Sequence, residues 1–132
     1  MELGENPTDD EILHFVDAWV DDLARGDFTA AFDRTSHDPH REWSPWLIQQ
    51  VIAGYGLPEP NKDGTEFKVT PREGAAGRPF ERRVDRVESY PVLAYAYCSL
   101  PLNGEWSDLT ASFRIESARS GAVATLEEIH VF

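Results

Sequence analysis

The stretch VLAYAYCSLPLNGEWSDLTASFRIESARSGAVATLEEIHVF, residues 92–132, decides the fold. Asn103-Gly104 is a two-residue hairpin turn set between two runs of alternating polarity. Folding about it places Cys98 opposite Leu109, Ala96 opposite Ala111 and Ala94 opposite Phe113. With Val92 and Ile115 these make one apolar face, and Tyr95, Tyr97, Thr110, Ser112 and Arg114 lie on the other. A turn over Ala118 to Gly121 then pairs Ser117 with Ala122 and adds a third antiparallel strand. Ala94, Ala96 and Ala111 leave the centre of the apolar face narrow: either a helix approaches closely there, or a guest has room.

The same register carries Phe113 to Leu126, Ala111 to Glu128 and Leu109 to His130. Glu128 and His130 are thereby expected on the face of Cys98 and Ala111, as a candidate catalytic pair. Burial there raises a carboxyl pKa, and the neighbouring carboxylate favours a charged imidazole. A slip of one residue exchanges the faces: Glu127, Ile129 and Val131 turn inward, and Glu128 and His130 become an ordinary solvated pair.

The half that precedes this sheet reads as helical. Thr8 and Glu11 have capping-box spacing, and Ile12, Phe15, Val16, Trp19, Val20 and Leu23 form one stripe that ends at Gly26. Asp17, Asp21 and Asp22 lie off that stripe, and the face shared by His14, Asp17 and Asp21 is expected to be solvated. Asp27 caps a short second helix with Phe28, Ala31 and Phe32 inward. Ser44-Pro45 opens a third, continued by Trp46, Leu47, Gln50 and Val51 as far as Gly54 or Gly56. Glu66 to Thr70 is expected as a short strand, and Phe80 to Tyr90 as a strand with a bulge, because Val84 and Val87 are out of phase. The expected class is α+β: N-terminal helices packed in the concave face of a curved, mainly antiparallel sheet, within one domain spanning residues 1–132.

Composition narrows the function. A net charge of −12 argues against nucleic acid and anionic membranes, and no apolar run reaches the length of a membrane span. A single cysteine, Cys98, excludes an internal disulfide and fits a reducing, cytoplasmic setting. Residues 1–27 hold nine acids and one base, whereas residues 62–90 hold seven bases and six acids. The acidic end is a solvated helix or a face for a basic partner.

Three features together resemble the nuclear transport factor 2-like superfamily, which includes SnoaL-like polyketide cyclases and ketosteroid isomerases. They are the amphipathic opening helix running into Ala24-Arg25-Gly26-Asp27-Phe28-Thr29-Ala30-Ala31-Phe32, the helix-then-sheet order, and the closing strand Leu126-Glu127-Glu128-Ile129-His130-Val131-Phe132. The resemblance implies a cone with a pocket at its open end. It also implies dimerisation through the exposed sheet face and, in SnoaL-like enzymes, acid–base work by pocket carboxylates and histidines. Fold alone transfers no activity. The expected pocket residues are Trp19, Trp43, Trp46, Tyr55, Cys98, Ala111 and Phe113, with no cofactor.

His37-Asp38-Pro39-His40 and Glu42 have the residue types of a metal site, but Pro39 interrupts them and no second cluster completes a zinc set; a polar loop is expected. Arg82 and Arg86 alternate away from Arg83, so they complement the acidic helix rather than form one anion clamp. No nucleophile elbow, phosphate loop or dinucleotide fingerprint appears. Three functions follow in order. The first is a protein binding a small apolar or ring-containing molecule. The second is a cofactor-independent isomerase, cyclase or dehydratase using Glu128 and His130. The third is an acidic interaction module such as an immunity protein.

Overall fold

The computed structural model describes residues 3–131. Met1, Glu2 and Phe132, the last of these the end of the expected closing strand, lie outside the described residues. Three helices, α1 (Asp9–Ala24), α2 (Phe28–Arg34) and α3 (Pro45–Ala53), precede four strands, β1 (Arg82–Ser89), β2 (Val92–Leu102), β3 (Glu105–Ala118) and β4 (Gly121–Val131). The strands form one open antiparallel sheet in the order β1-β2-β3-β4. The class is α+β. Among the described residues no helix is long and apolar enough to cross a membrane.

Helix α1 starts where its chemistry requires. The Thr8 side chain accepts from the Glu11 amide, and Glu11 accepts from the Thr8 amide, so two otherwise orphaned donors are satisfied. The chain leaves α1 through Gly26 at φ 76°, a conformation that costs a residue without a Cβ little. The expected stripe is the buried one, and Trp19 meets Phe113 of β3 edge to face at 5.0 Å between ring centroids. Asp27 and Ser44 cap α2 and α3 as expected. Helix α3 is rotated from expectation, however: Ile48, Val51 and Ile52 are buried, and Trp46 is 65% exposed. The more apolar triad takes the core, and the indole next to the N-cap is left outside.

Register shifts interrupt all three strand pairings, and two bulges do most to reset the expected pairs. Leu100 of β2 lies against three β3 residues, since Pro101 pairs with Trp106 and Ser99 with Thr110. Ser107 stabilises that bulge, its Oγ donating to the Leu100 carbonyl at 2.7 Å and accepting from the Leu109 amide at 3.2 Å. A displacement of two residues preserves the parity of side chains. From Ala94 to Cys98 the expected apolar face therefore stands, but its pairs are Cys98 with Ala111, Ala96 with Phe113 and Ala94 with Ile115; Val92, expected on that face, leaves it, because Leu93 is an extra residue and Val92 pairs with Glu116 instead. The second bulge shifts β4 by one. Ser117 pairs with Ala122 and Phe113 with Leu126 as expected, but Ser112 then pairs with Glu128, leaving Glu127 as the extra residue. Beyond it the faces exchange. Ile129 is buried opposite Ala111, and Glu128 and His130 stand opposite Ser112 and Thr110, on the side away from α1. Burying Ile129 gains apolar contact, whereas burying Glu128 means desolvating a carboxylate.

Residues Glu66 to Thr70 do not form a strand; only Val69 makes a bridge, to Leu102. The expected irregularity in β1 falls between Arg86 and Ser89.

The chain reverses tightly after α3. A Cβ on Gly54 would collide with the backbone oxygens of Leu57 and Glu59, while Asn61 Nδ2 ties the returning chain to the Ala53 carbonyl at 2.9 Å. Gly54→Ala is expected to cost about 2–3 kcal/mol in urea unfolding, because backbone must move to admit a methyl group. Gly64→Ala, at φ 81° with open space around its Cβ, is expected to cost only about 1 kcal/mol of backbone strain.

Candidate functional site

The expected pocket residues separate into four places. Trp19, Cys98, Ala111 and Phe113 belong to the packed core, each no more than 5% exposed, so they are walls of an interior rather than of an opening. Burial pushes the Cys98 thiol up to about 12, which leaves it a protonated core side chain at neutral pH. Trp43 reaches the edge of β4, its Nε1 donating to the Glu127 carbonyl at 3.4 Å. Tyr55 lies over Phe67 at 4.8 Å between ring centroids and donates its hydroxyl to Asp108. Burial, and then the Asp108 carboxylate, raise the Tyr55 pKa. Trp46 points to solvent. The seven residues do not converge.

Glu128 and His130 do meet, His130 Nε2 against the Glu128 carboxylate, but both are substantially exposed on the outer sheet face. The inward placement expected for them is thus corrected by the one-residue bulge at Glu127.

The loop with metal-ligand residue types is anchored instead to an arginine. Arg114 Nη2 donates to Asp38 at 3.1 Å, Nη1 to both Glu127 oxygens at 3.2 Å, and Nε to Glu116. Arg41 Nη2 joins Glu127 at 2.8 Å. The Arg114 pKa is raised, chiefly by the bond to Glu116, and that of Asp38 is lowered by the His40 amide and then by Arg114. His37 stacks on Phe32 at 3.8 Å. Among the described residues no three of His, Cys, Asp and Glu gather as a metal set.

Beside α1 the geometry is different. Arg86 pairs with Asp9 and Arg82 Nη2 with Asp17, both at 2.7 Å, whereas Arg83 turns outward over Tyr97 and bonds Glu81 and Asp85. The alternation read from the sequence therefore holds. A further arginine, Arg72, grips Asp21 through Nε at 3.0 Å and Nη2 at 3.1 Å. That bond does most to raise its pKa.

Arg72 lies on the segment that wraps the hairpin. Thr70 N donates to Pro101 O at 2.9 Å, Ala76 N to Gly104 O at 2.8 Å, and Ser99 Oγ accepts from Phe80 N at 3.0 Å. Held at both ends, this excursion stands off from α1 and leaves a cleft of about 560 Å³. Asp21, Arg72 and Arg82 line it with the half-buried Trp106, Pro71, Pro79 and Glu73. The site thus has an aromatic wall, two proline walls and a polar edge of guanidiniums held by one helix.

Of these residues, Asp21 is expected from the sequence on a solvated face and Arg82 as a complement to the acidic helix, whereas Arg72 and Trp106 fall in none of the motifs. The available signal was Trp106, a large aromatic two residues past the Asn103-Gly104 turn, opposite a segment punctuated by Pro71 and Pro79. No family model matches this chain, and no curated protein or solved structure matches it.

Proposed function

We propose that this protein binds a small ring-containing molecule in the cleft between α1 and the segment carrying Arg72 and Arg82. One observation carries the reading: Trp106 and two ion-paired arginines surround a single hollow of about 560 Å³. Small-molecule sites typically run to roughly 300–1,000 Å³, with apolar walls and a few convergent polar groups. A nuclear transport factor 2-like relationship, suggested by the helices-then-sheet order, is part of this proposal.

The ligand belongs in the cleft rather than the apolar interior, because Trp19 and Phe113 occupy that interior. Turnover by Glu128 and His130 is no part of the reading, since they stand on the sheet face away from α1. A partner on that outer face is less favoured, because its charges already pair within the chain: Arg114 with Asp38, Glu116 and Glu127, and Arg83 with Glu81 and Asp85.

The test is an NMR screen of ring compounds against the full chain with the Trp106 indole signal assigned. Binders are expected to shift that signal and raise the melting temperature, and Trp106→Ala is expected to weaken them about tenfold, in line with the stacking and area an aromatic wall supplies. Binders indifferent to Trp106→Ala, or no binder at all, would refute the proposal.

A further inference from the structure

We infer that the ligand of this cleft carries a carboxylate on a planar ring, with Arg82 as the group that holds the carboxylate. The inference rests on the cleft being a binding site and follows from its hydrogen-bonding capacity.

Two carboxylates along the polar edge, Asp21 and Asp17, are bonded to its arginines, whereas Glu73 on the rim makes no such bond among the described residues. Both Asp21 oxygens receive Arg72, and Asp17 Oδ2 receives Arg82 with Arg72 Nη1 at 3.6 Å. The spare donors lie on Arg82 and Trp106. Arg82 uses Nη2 on Asp17, and its Nε and Nη1 make no hydrogen bond among the described residues. The Trp106 indole N–H likewise makes none. An arginine with spare N–H groups recognises a planar acid better than any neutral acceptor, because the charge adds to the hydrogen bonds. Trp106 supplies the face for the ring, and Pro71 and Pro79 the apolar sides. Glu73, on the same rim, bears the opposing charge. One carboxylate is therefore accommodated beside Arg82, and a more highly charged anion is disfavoured by Glu73, Asp17 and Asp21.

The experiment titrates the full chain with 2-naphthoate and, separately, with neutral 2-naphthamide, following the Trp106 indole signal. The expected result is naphthoate binding about tenfold tighter, as for a charge-assisted contact at a half-exposed guanidinium. Arg82→Gln is expected to erase the preference, Arg82→Lys to retain part of it, and Glu73→Gln to strengthen it. Because Arg82 also pairs with Asp17, urea unfolding of each variant accompanies the titration, and the lysine variant decides the matter if the glutamine variant does not fold. Equal shifts of Trp106 by both compounds, unchanged in Arg82→Lys, overturn the carboxylate inference and leave the cleft reading standing. Failure of both compounds to move Trp106, while other residues respond, overturns both.

Discussion

Asp22→Asn is expected to destabilise the protein by about 2–4 kcal/mol, more than any other single change in its ion pairs. Asp22 is fully buried and takes Arg25 from its own helix and Arg34 from α2, the second Arg34 contact being Nη2 to Oδ1 at 3.3 Å. Its backbone carbonyl also accepts the Asp27 amide at 2.9 Å, so one residue fixes both the turn and the packing of α2 on α1. An asparagine keeps the shape and loses the charge. Arg34, with a side chain only 23% exposed, is then left facing a neutral group. Removing one member of a well-buried pair typically costs roughly 3–5 kcal/mol, and the figure is reduced here because Arg34 retains partial hydration.

The partners rank themselves. Arg25 is 61% exposed on its side chain, so Arg25→Gln is expected to cost under about 1 kcal/mol, with Arg34→Gln between the two. Urea midpoints at constant m-value measure the order. Equal costs for Arg25→Gln and Asp22→Asn would show that α2 is held by something other than this carboxylate.

Asp22 also shows where a sequence stops being legible. Helical period assigned Ile12, Phe15, Val16, Trp19, Val20 and Leu23 to the core correctly, because each is apolar and lies on one stripe. Asp22, three residues after Trp19 and seven after Phe15, falls at the edge of that stripe; its charge is what argued for solvent, and it is buried with Arg34, twelve residues on, coming back to meet it. The period of α1 carries no record of the arginine in another element that compensates the charge. The strands obey the same distinction. The apolar face of β2 and β3 was readable, and survived a bulge, because that bulge displaced the register by two. The bulge at Glu127 displaced it by one and moved Glu128 and His130 to the other face. Nothing in Leu126-Glu127-Glu128-Ile129 marks the extra residue except the gain from burying Ile129 instead of a carboxylate. The cleft was hidden for a third reason: its walls come from α1, from β1, from β3 and from an irregular segment whose course is set by backbone bonds to the hairpin.

Phe113→Ala is expected to cost about 3–5 kcal/mol, and the size of the loss bears directly on where a ligand can sit. Phe113 is fully buried, faces Ala96 on one side and Leu126 on the other, and presents its ring to Trp19 at an interplanar angle of 86°. Removing an aromatic ring from a packed interior loses both its transfer free energy and the contacts of the surrounding atoms. The neighbours Ala94, Ala96 and Ala111 are too small to fill the space. Were the interior hollow at this point, the same truncation would merely enlarge an existing space and cost nearer 2 kcal/mol, the transfer term alone. The small residues at the centre of the sheet allowed either a close helix or a guest, and Trp19 settles the choice by filling the position itself. A dry cavity opened by Phe113→Ala should in turn admit benzene or indole and recover part of the lost stability, whereas the unmodified protein should gain none from benzene at this position. Equal stabilisation of both forms by benzene, with shifts at Trp19, would place an open pocket in the interior and displace the Trp106 cleft as the binding site.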